Sequence, residues 1–234
     1  MGGITLPSRA YCLLVITLLV CAGISNAEPL FKGSESRPSD AIILFDGKDL
    51  SEWALVGSDK PPEWKVQDGY VEVTNGNIRT KRQLTDCQLH VEFWLPLMPD
   101  ASGQGRANSG IFLQGSYEIQ VLDSYGLKSQ LGDCGAIYGI AVPLVNACRP
   151  PEQWQSYDIF FHAPRFKDGK QTGNARMSVL QNGVWIHDNV EIPGETTASA
   201  GGDLASPGPI MLQDHGNPIR YRNIWIRDLA ADKH

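Results

Sequence analysis

From Asp86 to Leu95 the chain alternates strictly. Leu89, Val91, Phe93 and Leu95 fall on one parity, and Gln88, His90, Glu92 and Trp94 on the other. Successive side chains of a strand point to opposite sides, so this segment reads as a strand with an apolar face and a polar, aromatic one. Tyr117, Ile119 and Val121 alternate in the same way with Glu118 and Gln120. Asn108 to Ser124 is thus two strands joined at Gln114-Gly115-Ser116. Continued without interruption, that alternation sends Asp123 into the core, which is costly for an unpaired carboxylate. A bulge near Val121-Leu122 resolves the conflict by reversing the parity and bringing Glu118, Gln120 and Asp123 onto one open face.

Shorter patterns fill in the rest. Ile42–Phe45 is a strand followed by the turn at 46–50, and Trp53 packs after it. Trp64–Val66 and Tyr70–Val73 form a hairpin about Asp68-Gly69. A second hairpin turns at Asn182-Gly183, between Arg176–Leu180 and Val184–Asp188, a dipeptide suited to the positive φ angles of a type I′ turn. Ile78–Thr80, Trp154–His162, Ile210–Gln213 and Tyr221–Asp228 are further strands, with Trp225 assigned to the core. No amphipathic helix of three turns appears. Some ten to thirteen short strands separated by Gly, Pro and Asn predict an all-β sandwich of two sheets. The long loops Met98–Ala107 and Tyr125–Arg149 are placed to border a binding site on such a scaffold.

Residues 1–27 stand apart. Arg9, the apolar run Tyr11–Ala22 and Ser25-Asn26-Ala27 read as a signal peptide, so the protein is expected to be secreted or periplasmic and free of the membrane after cleavage. Residues 28–40 read as a loose mature N-terminus and 41–230 as one sandwich domain. The leader's one charge is Arg9, so the remaining chain carries 19 basic against 26 acidic residues. Such an acidic chain with no basic stripe argues against nucleic-acid binding. Three cysteines follow the leader: Cys134 and Cys148, in one loop-rich region, are the expected disulfide, and Cys87 a buried thiol. The sequence carries no signal for an oligomeric state.

Seven blocks then occur in one order: LFDGKDLSEW at 44–53, DG-Y-V-E-V at 68–73, NSGIFLQGSYEIQVLDS at 108–124, DCGAIYGI at 133–140, EQWQSYDIFFHAPRF at 152–166, QNGVWIHDNVEI at 181–192 and LQDHGNPIRYRNIWIR at 212–227. Together they resemble the secreted bacterial 3-keto-disaccharide hydrolase domain family. The resemblance implies a concanavalin A-like jelly roll of two curved antiparallel sheets with a concave binding face, and glycosides oxidised to a ketone at C3 as substrates. Related sandwich glycosidases carry Glu-x-Asp-x-x-Glu; here Glu118, Gln120 and Asp123 keep the spacing but change two of the three residues, which argues against ordinary retaining hydrolysis.

A C3 ketone acidifies the C2 proton, so a base can open the C1–O bond by elimination, and water adds back. Glu118 or His215 is the candidate base, and Asp123 or His90 the candidate acid. Gln120, Asn108 and Arg106 are candidates for holding the ketone oxygen or hydroxyls, with Arg106 and Arg222 offering positive charge to an enolate. Glu92, His90 and Trp94 are read as the floor of a sugar cleft, with Gln213 and Tyr138 as further contacts. Each has a plainer alternative: His90 and Glu92 as a surface pair, His215 as a turn residue, Arg222 as a strand anchor, Tyr138 as packing. No metal-ligand spacing and no cofactor motif is evident, although an enolate leaves room for a divalent cation. Two rival classes are a retaining glycosidase using Glu118 and Asp123, and a carbohydrate-binding module without chemistry.

Overall fold

In a computed structural model of the chain, residues 1–3, 37–199 and 201–230 are described. Most of the expected signal peptide and of the expected loose N-terminus lies outside them.

The described residues form fifteen strands: β1 (Ile42–Phe45), β2 (Trp53–Leu55), β3 (Lys65–Gln67), β4 (Tyr70–Glu72), β5 (Ile78–Thr80), β6 (Cys87–Trp94), β7 (Ser109–Leu113), β8 (Tyr117–Val121), β9 (Trp154–His162), β10 (Arg165–Lys167), β11 (Lys170–Gly173), β12 (Ala175–Gln181), β13 (Val184–Ile192), β14 (Met211–Leu212) and β15 (Arg220–Asp228). The one helical element among the described residues is a 3-10 turn, Gly103–Gly105. An eight-stranded sheet runs β13-β12-β9-β6-β15-β4-β3, with β1 also paired to β15, and a five-stranded sheet runs β2-β5-β14-β7-β8. The pairings within both are antiparallel.

The two sheets close on one core. From the large sheet come Leu89, Val91, Phe93, Tyr157, Ile159, Phe161, Met177 and Val179; from the small sheet Ile111, Leu113, Tyr117, Ile119 and Val121. Side chains of this size stabilise by about 1.5–3 kcal/mol each when fully buried, so the alternating segments dictate which faces meet. Two polar bonds cross the apolar layer: Tyr157 OH donates to Gln120 O at 2.8 Å, and Tyr221 OH to Ser109 Oγ at 2.7 Å. Each satisfies a buried polar group that would otherwise be costly. The result is the expected jelly-roll sandwich.

Turn chemistry is where the sequence placed it. Asp68-Gly69 and Asn182-Gly183 both have positive φ, at 48° and 79° and at 54° and 79°. A further hairpin, β10–β11, turns on Asp168-Gly169 in the same conformation and was not anticipated, although it carries the same dipeptide signal.

Candidate active site

The register of β7 with β8 builds the site. Glu118 lies opposite Phe112 and Gln120 opposite Gly110, while Ile111, Leu113, Tyr117 and Ile119 take the core side. Met211 on β14 and Arg79 on β5 continue the Glu118 row across the outer face of the small sheet. Beyond β8, Ile137 bridges Ile119, Tyr138 N–H donates to Glu118 O at 3.1 Å and Gln120 N–H to Ala136 O at 3.0 Å. Tyr138 is thereby brought beside Glu118. On the other side Gln213 N–H donates to Gly110 O at 2.9 Å.

Glu118 is 2 % exposed, and its Oε2 has no hydrogen-bond partner in the protein. Burial pushes its carboxyl up to about 7. Room for the carboxylate exists because residue 110 is glycine: a Cβ there would collide with Glu118 Oε1. Backbone contacts hold the strand itself, with Thr196 Oγ1 accepting from Glu118 N–H at 3.1 Å and donating to Ser116 O at 3.0 Å.

Beside this carboxylate is a chain of amides. Gln120 Nε2 donates to Gln104 Oε1 at 2.9 Å, and Asn108 Nδ2 donates to the same oxygen at 3.1 Å and to Gln104 O at 2.7 Å. Gln104 Nε2 donates to Gly132 O at 2.7 Å. Asn108 Oδ1 is a second buried acceptor without a partner. Asn217 Oδ1 receives Asn108 N–H at 2.8 Å, which draws the 213–217 loop toward the site; His215, in that loop, is exposed.

The remaining candidates separate. β7 and β8 pair without a register shift as far as Ser109 opposite Val121, so no bulge interrupts the ladder. Leu122, beyond it, is buried in the core together with Val121, which reverses the parity just where the pairing ends. Asp123 follows and is engaged by Arg106: Nε lies 3.3 Å from Oδ2, and Nε and Nη2 both donate to Asp123 O. Its Oδ1 accepts from Tyr125 N–H at 3.3 Å. Asp123 and Arg106 brace each other.

His90, Glu92, Trp94 and Arg222 belong elsewhere, which corrects their grouping with Glu118. β6 turns Leu89, Val91 and Phe93 inward, so its other parity occupies the outer face of the large sheet, across the whole core from Glu118. There His90 Nδ1 meets Asp158 Oδ1 at 2.8 Å, Glu92 Oε2 accepts from Arg222 Nε at 2.6 Å, and Glu92 Oε1 from Asn223 Nδ2 at 2.9 Å. The Arg222 guanidinium lies over the Trp154 ring at 4.0 Å, and that of Arg220 over Trp94 at 4.3 Å. Trp225 is buried, but on this outer face, stacked on His90 at 5.0 Å. The bulge responsible is in β15, between Arg222 and Trp225, where Asn223 has φ 47°. Burial alone would lower the His90 pKa, yet the bonds to Asp158 and Glu92 raise it to about 9. Burial works to raise Glu92, and His90, Asn223 and Arg222 bring it down to about 2.

The cysteine expectation also needs correcting. Cys134 and Cys148 are free thiols in the structure. They are neighbours: Gln181 Nε2 reaches their sulfurs at 3.5 and 3.4 Å, and Tyr157 OH takes up Cys134 Sγ at 3.1 Å. Three residues of the site face were missed from sequence. Gln104 sits in an exposed Gly-rich turn without periodicity, and Arg79 in a strand of three residues. Gly110 was detectable, because a glycine inside a strand often marks a close approach. Among the described residues, no group of three or more His, Cys, Asp or Glu side chains converges as a metal site.

A profile of the 3-keto-alpha-glucoside-1,2-lyase-like domain matches residues 40–227. The 3-keto-disaccharide hydrolase of Bacteroides thetaiotaomicron is 25 % identical over 237 residues, covering 82 % of this chain and 80 % of its own. A Parabacteroides distasonis protein assigned as a glycosyl hydrolase, solved by crystallography at 2.13 Å, superposes with a TM-score of 0.76 at 44 % identity, over 83 % of this chain and 86 % of that one. Another from the same organism, at 22 % identity and a TM-score of 0.58 over 81 % of this chain and 94 % of that one, shares the fold.

Proposed function

The chain belongs to the 3-keto-alpha-glucoside-1,2-lyase-like family of carbohydrate-active proteins, and from that premise we propose an exported enzyme that cleaves glycosides carrying a ketone at C3. The observation that carries the reading is Glu118: a carboxylate buried among apolar and amide groups, one oxygen unpartnered, with a pKa near 7. A base poised at the working pH is what abstraction of an acidified C2 proton requires. Glu118 takes that proton, and the electron pair delocalises onto the ketone oxygen. The enolate then collapses to expel the C1 oxygen, which leaves with a proton, and water adds across the C1–C2 double bond. Gln213, half-buried beside Gly110, offers an amide to the enolate oxygen. His215, in the 213–217 loop, is the donor candidate for the leaving oxygen. Export is supported by the leader-like residues 1–27.

Purified protein is assayed on a 3-keto-glucoside and on the same glucoside unoxidised. Turnover of the ketone alone is expected. Turnover of the plain sugar would instead favour a retaining mechanism, which places its two carboxyl groups about 5 Å apart. Saturable binding with no turnover of either sugar would reduce the domain to a binding module.

A further inference from the structure

The geometry points to Gln104 as a positioning residue that makes Asn108 present its side-chain oxygen to a substrate hydroxyl, on the far side of the sugar ring from the carbon that Glu118 deprotonates. The inference rests on reading the Glu118 face as the active site and deepens it. Its basis is the polarity of three amides, each pinned by the backbone. Gln104 Nε2 donates to Gly132 O at 2.7 Å, and a carbonyl accepts only a donor, so Gln104 Oε1 must be the end turned to its neighbours. Asn108 Nδ2 donates to Gln104 O at 2.7 Å and to that Oε1 at 3.1 Å. Gln120 Nε2 shares the same acceptor at 2.9 Å, while Gln120 Oε1 receives Val121 N–H at 3.1 Å. With every amide nitrogen committed, the unused group is Asn108 Oδ1, on a side chain only 2 % exposed.

A buried acceptor with nothing to accept is costly, and it favours a ligand that brings a donor. Asn108 Oδ1 and Glu118 Oε2 are such atoms. Glu118's carboxylate lies over Gly110, and Asn108 is two residues earlier, just before β7, where it shares Gln104 with Gln120. Two residues of extended chain rise about 7 Å, so Asn108 and Gly110, over which the Glu118 carboxylate lies, are about one sugar ring apart along the backbone. Their spacing suits one sugar ring: C2–H at Glu118, and the 4- or 6-hydroxyl at Asn108. Gln104 touches no substrate in this arrangement. It acts through Asn108, from an exposed turn, and without its side chain Asn108 Nδ2 keeps Gln104 O and Gln120 Nε2 keeps Gly132 O as acceptors.

The test is calorimetric binding in the Glu118→Gln background, where turnover is blocked, using a methyl 3-keto-glucoside and its 4-deoxy and 6-deoxy forms. Asn108→Ala and Gln104→Ala are each expected to weaken the parent sugar about ten- to a hundredfold. Neither should weaken further the deoxy sugar that lacks the recognised hydroxyl. Thermal melts of the variants are expected to overlay the parent. The inference is overturned if the parent sugar fails to bind, if either substitution leaves its affinity unchanged, or if both deoxy sugars lose affinity as much as the parent. Failure of the proposed activity is separate: Glu118-intact protein would then bind the ketone sugar and leave it uncleaved.

Discussion

The outer faces of the two sheets each bury a glutamate, and the fold treats the two in opposite ways. Glu92, on the large sheet, is held by Arg222 and Asn223 beside a charged His90, and its pKa falls to about 2. Glu118, on the small sheet, has an oxygen with no partner, and its pKa rises to about 7. Burial opposes the charge in both cases; the difference is what surrounds it. A carboxylate with all its bonds filled has little left to offer a substrate, whereas one denied partners can exchange a proton near neutral pH. On the reading proposed above, the cluster richer in charged and aromatic residues is therefore the structural one, and the amide-lined face is the proposed site.

The widest separation between the faces should come from Glu118→Gln, which is expected to lower kcat by about 10²–10⁴-fold with an unchanged circular dichroism spectrum. Near-normal turnover would remove Glu118 from the chemistry. On the opposite face, His90→Ala leaves Asp158 and Glu92 without their shared cation. It should cost about 3–5 kcal/mol in denaturant unfolding while the kinetic constants of the folded fraction stay at the parent values. A fall in kcat without loss of stability would reverse the assignment of the two faces.

Next comes a stability contrast. Glu118's folded pKa lies above its unfolded value of 4.5, so the native state holds the proton more tightly and stability declines as pH rises from there through about 7. Relative to its difference from the parent at pH 4, Glu118→Gln should gain about 3 kcal/mol at pH 8. Melting curves at the two pH values decide it. For His90, raised to about 9, the stabilisation is complete below the unfolded value of 6.5 and is lost as pH climbs through 9. For Glu92, lowered to about 2, it is complete above 4.5 and is lost as pH falls through 2. The ion cluster thus contributes fully between 4.5 and 6.5. The smallest effect is kinetic: kcat/KM of the parent should fall about tenfold per pH unit below 7 and level off above it, because only the ionised base abstracts a proton. A flat profile from pH 5 to 8 would exclude Glu118 as that base.

Much of this was legible in the chain. Period-two alternation assigned the inward residues of β6 and β8 correctly, since apolar burial leaves a strand one choice of face. It did not say which sheet each strand joins. β6 pairs with β9 and β15, both distant in sequence, so His90 and Glu118 read as one cleft floor although a core divides them. The β15 bulge at Asn223 reversed the parity of Trp225 in the same unseen way. A bulge depends on the partner strand, and a single sequence shows only one strand of the pair. Gln104 was invisible for another reason: its role is set by three hydrogen bonds to groups between 4 and 28 residues away, and nothing local marks it.

Gly110 has a consequence of its own. The nook that admits the Glu118 carboxylate is formed by a missing methyl group, so the smallest enlargement, Gly110→Ala, evicts the acid without touching it chemically. An ancestral or engineered chain could be silenced there while keeping every polar residue of the face, and no search confined to acids, bases and amides would notice the defect.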